Sequence, residues 1–231
     1  MLSPALYVVG TPIGNLQDFS PRAVDVLKQV RLIACEDTRT SGRMLRNAGI
    51  ETPLASFHQH NEHHKAPELI ARVSAGESVA LISDAGMPAI SDPGFLLTRL
   101  AHQAELRVVP VPGPVAAITA LAASGLPSDR FVFEGFLPAK KGRRTRIAEL
   151  AEEERSIILY ESPHRIVKLV AQFLEVCAPD RWAAVGRELT KVHEEIHRAP
   201  LAGLHADLKA RPRQRGEFVF LLAGKSYRET P

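Results

Sequence analysis

Residues 5–37 read ALYVVGTPIGNLQDFSPRAVDVLKQVRLIACED, and their rhythm decides the fold. The short β-branched run ALYVVG predicts a strand that ends in a turn at Gly10, Thr11 and Pro12. PRAVDVLKQV then carries apolar residues at helical spacing, with Ser20 placed as N-cap and Pro21 at the first helical position. RLIACED begins a second strand. Strand, helix and strand in this order make a βαβ unit, the building block of a mostly parallel sheet.

Outward from this unit the alternation continues. SGRMLRNAG predicts a helix ending at Gly49, and after PLASFH a helix over KAPELIARVSAG leads into the strand SVALISD. FLLTRLAHQA reads as helix and LRVVPVPG as strand, so residues 1–113 form an α/β domain with a mostly parallel sheet. The Pro-rich VPVPGP marks a boundary near Gly113. Beyond it an Ala-rich helix, PVAAITALAASG, is followed by the strand RFVFEGF and the helix RRTRIAELAEEE. SIILYESP, WAAVGREL, HEEIHRAPL and GEFVFLLAG read as strands, with helices over RIVKLVAQFLEVC and AGLHADLKA. Short turns between several of them imply a mixed sheet in a second α/β domain, 114–225, and 226–231 reads as a frayed tail. The expectation is two α/β lobes with a cleft between them.

A hydrophobic share of 45% against 24% charged residues suits a soluble globular chain, and the N-terminus shows no basic region leading into a long apolar one. No apolar run reaches the roughly 20 residues that span a bilayer. Cys35 and Cys177 are read as buried thiols of a reducing cytosol. The net charge of +3 is compatible with an anionic partner, and its distribution says more. Lys140, Lys141, Arg143, Arg144 and Arg146 crowd into AKKGRRTRI, which reads as a mobile basic arm over a phosphate backbone, or as a solvated surface. Arg211, Arg213 and Arg215 form a smaller cluster, more simply read as solvated.

Several chemistries find no support. VVGTPIGN sits where a dinucleotide-binding fingerprint would, yet Gly10 and Gly14 are spaced GxxxG, and neither GxGxxG nor GxxxxGK[ST] occurs. No GxSxG elbow announces a serine triad. His58, His60, His63 and His64 lie close together in SFHQHNEHHK without forming HExxH, so the stretch is read as a polar, substrate-facing loop, with no metal expected. LISDAGMPAISDPG, residues 81–94, places Gly, Pro, Asp and Ser directly after a strand. Loops at the carboxyl ends of parallel strands line the crevice where α/β proteins bind ligands. Gly86 and Gly94 allow close backbone approach, and Pro88 and Pro93 hold the loop's shape. Such a loop offers peptide groups, hydroxyls and carboxylates but no positive charge, which suits a cofactor that carries its own cation and an adenosine.

The segments LYVVGTPIGN, LIACEDTRTSG, SDAGMPAISDPG, VPVPGPVAAITALAASGLPSDRF, FEGFLPAKKG, LYESPHRI, GRELTKVHEE and GEFVFLL, in this order from about residue 5 to 224, resemble the ribosomal RNA small-subunit methyltransferase I family of the tetrapyrrole-methylase superfamily. Met87 stands where that family usually has Thr, which removes one hydroxyl from the loop but not its backbone. The resemblance implies two α/β domains with S-adenosyl-L-methionine in the cleft, a homodimer, and 2′-O-methylation of a cytidine in the decoding region of 16S rRNA. It implies cofactor contacts at Thr11, Pro12, Asp84, Gly86, Ile90, Ser91, Val115, Ala116, Tyr160 and Leu189, mostly through the main chain.

Taking a proton from a ribose hydroxyl needs a base, and Glu36, Asp37 and His58 are the candidates, with Arg39 and Lys191 positioning RNA. An ion-pair network is the structural alternative for these residues. A small protein gains from a preassembled small ribosomal subunit as substrate, which offers shape as well as sequence. A tetrapyrrole C-methyltransferase and a non-catalytic RNA-binding relative are the competing readings. A porphyrinoid would need an apolar floor with a few cationic anchors, which the basic AKKGRRTR segment and the CEDTR and HQHNE loops do not suggest.

Overall fold

The computed structural model describes residues 2–229, and the chain divides between Val115 and Ala116 into two compact units. In the first unit β1 (Ala5–Val9), α1 (Pro21–Gln29), β2 (Leu32–Cys35), α2 (Thr38–Asn47), β3 (Leu54–Ser56), α3 (Glu62–Ser74), β4 (Ser78–Leu81), α4 (Phe95–Gln103) and β5 (Val108–Val111) alternate along the chain. The strands form one sheet in the order β3-β2-β4-β1-β5, and every pair in it is parallel. Ser20 caps α1 as its sequence implies, its Oγ accepting from the Ala23 amide at 3.1 Å.

Period-two alternation along β1 sends its side chains to two cores. Ala5, Tyr7 and Val9 pack with Ala23, Val26 and Leu27 of α1 and Leu45 of α2. Leu6 and Val8 pack on the other face with Leu69 and Val73 of α3 and Leu97 and Ala101 of α4. Helices therefore cover both faces, which is why these strands are apolar throughout. Each fully buried Leu or Val contributes about 1.5–3 kcal/mol by leaving water.

Two helices begin earlier than the sequence suggests. Asp37 caps α2, accepting from the Arg39 amide at 2.8 Å, so the acidic end of RLIACED is a helix start rather than strand. Helix α3 begins at Glu62 and takes in His63 and His64. Asn61 fastens the turn before it, accepting from the His58 amide at 2.8 Å and donating to the Ser56 carbonyl at 3.2 Å.

The second unit contains α5 (Ala116–Ser124), β6 (Phe131–Phe136), α6 (Arg143–Ala151), β7 (Ser156–Glu161), α7 (Ile166–Leu174), β8 (Trp182–Arg187), β9 (Glu195–Pro200), α8 (Leu201–Ala210) and β10 (Phe218–Leu222). Its sheet runs β6-β7-β10-β8-β9, with β6 parallel to β7 and the other pairs antiparallel. Ile157 and Leu159 of β7, Phe218, Phe220 and Leu222 of β10, and the apolar stripes of α6, α7 and α8 build one core. Helix α5 packs over β7, β8, β9 and β10 on the opposite face.

The stretch expected to fray is tied back as far as it is described: the Tyr227 amide donates to Gly224, and Arg198 pairs with Glu229. Its last two positions, 230 and 231, lie outside the described residues. Among the described residues no helix is long and apolar enough to cross a membrane.

Candidate active site

Because every strand of the first sheet runs the same way, the segments that follow them converge on one edge. These are Gly10–Pro12 after β1, Glu36 and Asp37 after β2, His58 after β3, residues 82–94 after β4, and Pro112–Val115 after β5. Gly10 and Gly113 bring two of them into backbone contact: a Cβ on Gly10 would lie 2.6 Å from the Gly113 Cα. It would also lie 2.6 Å from the Met87 Sδ, so the methionine seals the crossing of the first and second loops.

Thr11 buckles the loops together. Its amide donates to the Gly86 carbonyl at 2.9 Å and its carbonyl accepts from the Gly86 amide at 3.1 Å. Its buried hydroxyl lies 3.1 Å from the Ser83 carbonyl and 3.3 Å from that of Gly86. The polar groups of Thr11 are thus engaged within the protein, and its side chain supports the second loop. Pro12 is buried beside it. Further along, Ala89 and Ser91 hold φ of 68° and 63°, a region costly for residues with a Cβ. Such strain persists where the surroundings over-determine it, typically at ligand sites. Ile90 projects between them, 45% exposed, and Ser91 is exposed as well.

Carboxylates cluster on the same edge. Asp84 Oδ1 accepts from the buried Ser41 hydroxyl at 2.8 Å and faces the Asp37 amide at 3.4 Å. Asp92 is pushed up to about 6, first by burial and then by the charges of Glu36 and Asp84, against a hydrogen bond from Ser83. Asp92 escaped the sequence reading, although it lies in the quoted loop; the signal was its position before Pro93 and Gly94 in a turn that returns toward the sheet. Cys35, just below, is raised to about 11, chiefly by burial, and stays a thiol at neutral pH.

The candidate bases separate. Asp37 grips Arg39 through both carboxylate oxygens at 2.9 and 3.2 Å, and those hydrogen bonds hold it at about 2. A carboxylate that weakly basic and already committed to capping α2 is removed from the proton-accepting role. Its partner Arg39 is exposed. Glu36 is half-buried beside Asp92. His58 keeps a buried Nδ1 without a hydrogen-bond partner, and its ring meets that of His60 edge-on at 5.9 Å.

In the second unit, Tyr160 Oη accepts from the Ala117 amide at 3.2 Å, just inside the start of α5 at Ala116. Leu189 is buried against Gly186, between Glu188 and Thr190, which both have positive φ. Lys191 reaches Glu188 at 3.0 Å and Glu217 at 2.8 Å.

The basic segment departs most from expectation. Rather than a mobile arm, it is a turn leading into α6, and Arg143 is buried, with Nη2 3.0 Å from Glu161 and Nε 2.9 Å from Gln172. A buried guanidinium committed to a buried carboxylate cannot reach an RNA phosphate. Arg146 is likewise engaged, gripping Glu134 through two 2.6 Å bonds and Glu149 through one of 2.7 Å. Lys140, Lys141 and Arg144 remain exposed.

Residues 5–205 match the family model for tetrapyrrole (corrin/porphyrin) methylases. The chain is 54% identical over 226 residues to the ribosomal RNA small subunit methyltransferase I of Pseudomonas aeruginosa, covering 97% of this chain and 80% of that one. It is 49% identical to the protein of the same name from Escherichia coli O157:H7, covering 97% and 79%. Among solved structures, the methyltransferase CobJ superposes with a TM-score of 0.70 at 19% identity over 98% of this chain and 97% of that one. A cobalt precorrin-4 methyltransferase does so at 0.69 and 16%, over 95% of each chain. At those identities the likeness shows the fold alone. The parallel edge, its backbone-buckled loops and the close relatives converge: the chain belongs to the tetrapyrrole methylase family and, within it, to the ribosomal RNA small subunit methyltransferase I group of S-adenosylmethionine-dependent methyltransferases.

Proposed function

We propose that the protein transfers a methyl group from S-adenosyl-L-methionine to the ribose 2′-hydroxyl of a cytidine in the decoding region of 16S rRNA, on the assembled small ribosomal subunit. The observation that carries this reading is the edge of the first sheet, where buckled peptide loops lie beside Asp84, Asp92 and Glu36. The donor set fits the cofactor. Glycine-shaped loops offer main-chain groups to its adenosine and amino-acid ends, and the carboxylates suit its ammonium and sulfonium charges. Residues 11–12, 84–91 and 115 would line its place there, and the contacts that the resemblance implies at Ala116, Tyr160 and Leu189 are proposed with them.

When bound, S-adenosylmethionine supplies a methyl group on a sulfonium, an electrophile that needs no further activation. The chain's own task is then to orient a hydroxyl and accept its proton. Orientation supplies up to about 7–11 kcal/mol of barrier lowering in the best cases, and a base about 10²–10⁴-fold more. His58, whose buried Nδ1 has no hydrogen-bond partner, and Glu36, which faces Asp92, are the proposed acceptors. Arg39 and Lys191 would position the RNA, exchanging their carboxylate partners for phosphates. The same reading puts a homodimeric enzyme in the cytoplasm, where ribosomal subunits assemble.

Labelled-methyl transfer to isolated small subunits, compared with naked rRNA and a tetrapyrrole precursor, tests the reading. The label should enter subunits, and alkaline hydrolysis should leave it in one resistant dinucleotide, because a 2′-O-methyl blocks cleavage of the next bond. Label on a base, on the tetrapyrrole or nowhere would contradict it.

A further inference from the structure

We infer that the face of β6 at the edge of the second sheet is a stacking platform for an unpaired nucleobase, flanked by phosphate contacts from Lys140, Lys141 and Arg144; this rests on the rRNA reading above. A β-bulge builds the platform. Phe133 pairs in register with Ile158 and Phe136 with Tyr160, with an irregularity between Phe133 and Gly135, where Gly135 holds φ of 69°. In a regular strand residues 133 and 136 would face opposite ways. The extra residue, Glu134, brings both rings to the side of Tyr160, at centroid distances of 5.1 and 5.6 Å.

That side is the one opposite Ile157 and Leu159, which point into the core beneath. Helix α5 covers it over the inner strands, but at β6 Phe131 remains 38% and Phe136 55% exposed. An apolar face is no RNA site by itself; the charge beside it argues for RNA. The turn after Phe136 carries Lys140, Lys141 and Arg144, all exposed. Two ion pairs tie that turn to the platform: Arg143 reaches Glu161, the neighbour of Tyr160, and Arg146 grips Glu134 in the bulge itself. The guanidiniums that look like phosphate ligands in the sequence instead fasten the turn and helix start that carry the remaining cations to the strands of the platform. Aromatic faces next to a cationic turn match single-stranded RNA, whose bases stack while its phosphates pair.

Fluorescence anisotropy with a labelled oligocytidine, over a range of salt, tests this with wild type, Phe136→Ala, Phe136→Trp and the triple variant Lys140→Gln, Lys141→Gln, Arg144→Gln. Phe136→Ala should weaken binding about 5- to 150-fold without changing the salt slope, and Phe136→Trp should restore it. The triple variant should flatten the slope by about 0.7 for each phosphate it no longer neutralises. In methyl transfer to small subunits, Phe136→Ala should raise KM more than it lowers kcat. Wild-type affinity in Phe136→Ala, or an unchanged slope in the triple variant, would overturn the platform. So would a change in sedimentation of Phe136→Ala without a change in RNA affinity, which would mean that a second copy covers the face. Failure of the wild type to methylate subunits would instead count against the rRNA reading, since oligonucleotide binding is measured without the cofactor.

Discussion

Asp92 and Asp37 share a functional group and a sheet edge, yet their surroundings drive their acidities apart. Burial and two neighbouring carboxylates lift Asp92 to about 6, while the bonds from Arg39 hold Asp37 at about 2. The raised value means that the folded protein binds the Asp92 proton more tightly than the unfolded chain does. That contribution to stability is complete below about pH 4, the ordinary carboxylate value, and is lost as pH rises through about 6. Urea midpoints of wild type and Asp92→Asn, taken from pH 3 to 8, should therefore shift in favour of the variant across that window and stay parallel above it. A constant difference would mean that Asp92 ionises normally. At the reacting atoms, His58→Ala should bind S-adenosylmethionine normally and lose about 10²–10⁴-fold in single-turnover methylation if it is the base. Full turnover in that variant and its loss in Glu36→Gln would transfer the role to Glu36.

At the scale of elements, the loops of the candidate site depend on backbone packing that side chains would spoil. Gly10→Ala would force a methyl into the Gly113 backbone and should destabilise the protein by about 1–3 kcal/mol, read as a lowered Tm. In the second unit Glu161→Ala should cost about 3–5 kcal/mol, because it strands Arg143, whose side chain is only 6% exposed; a denaturant midpoint close to wild type would contradict the buried pair. These two positions also show what the sequence can disclose. Gly10 sits at the end of a legible strand, so the place of the loop could be read, although its partner Gly113 follows another strand and only the sheet order brings them together. Arg143 looked like one more cation in a basic run; its partner is 18 residues away, and nothing local distinguishes it from Arg144. The bulge had a local signal, a glycine inside the strand run RFVFEGF, whose consequence for Phe136 depends on register with β7.

For the whole molecule, the alternation of strands and helices made the parallel sheet legible, because each βαβ crossover leaves its mark in hydrophobic period. Parallel strands then dictate that the segments following them share one edge, which is why the glycine, proline and acidic loops far apart in sequence converge. What the sequence hid is the division of labour there: Thr11 as buckle, Asp37 as cap, and Asp92 as a half-buried acid of raised pKa. The central claim is that this edge holds S-adenosylmethionine through peptide groups and carboxylates. Titration calorimetry of S-adenosylmethionine into wild type and Asp84→Asn tests it most directly. The account predicts uptake of one donor per chain by the wild type and at least about tenfold weaker binding by the variant, a loss of about 1.4 kcal/mol. No uptake by the wild type, or equal affinity in the two proteins, would contradict it.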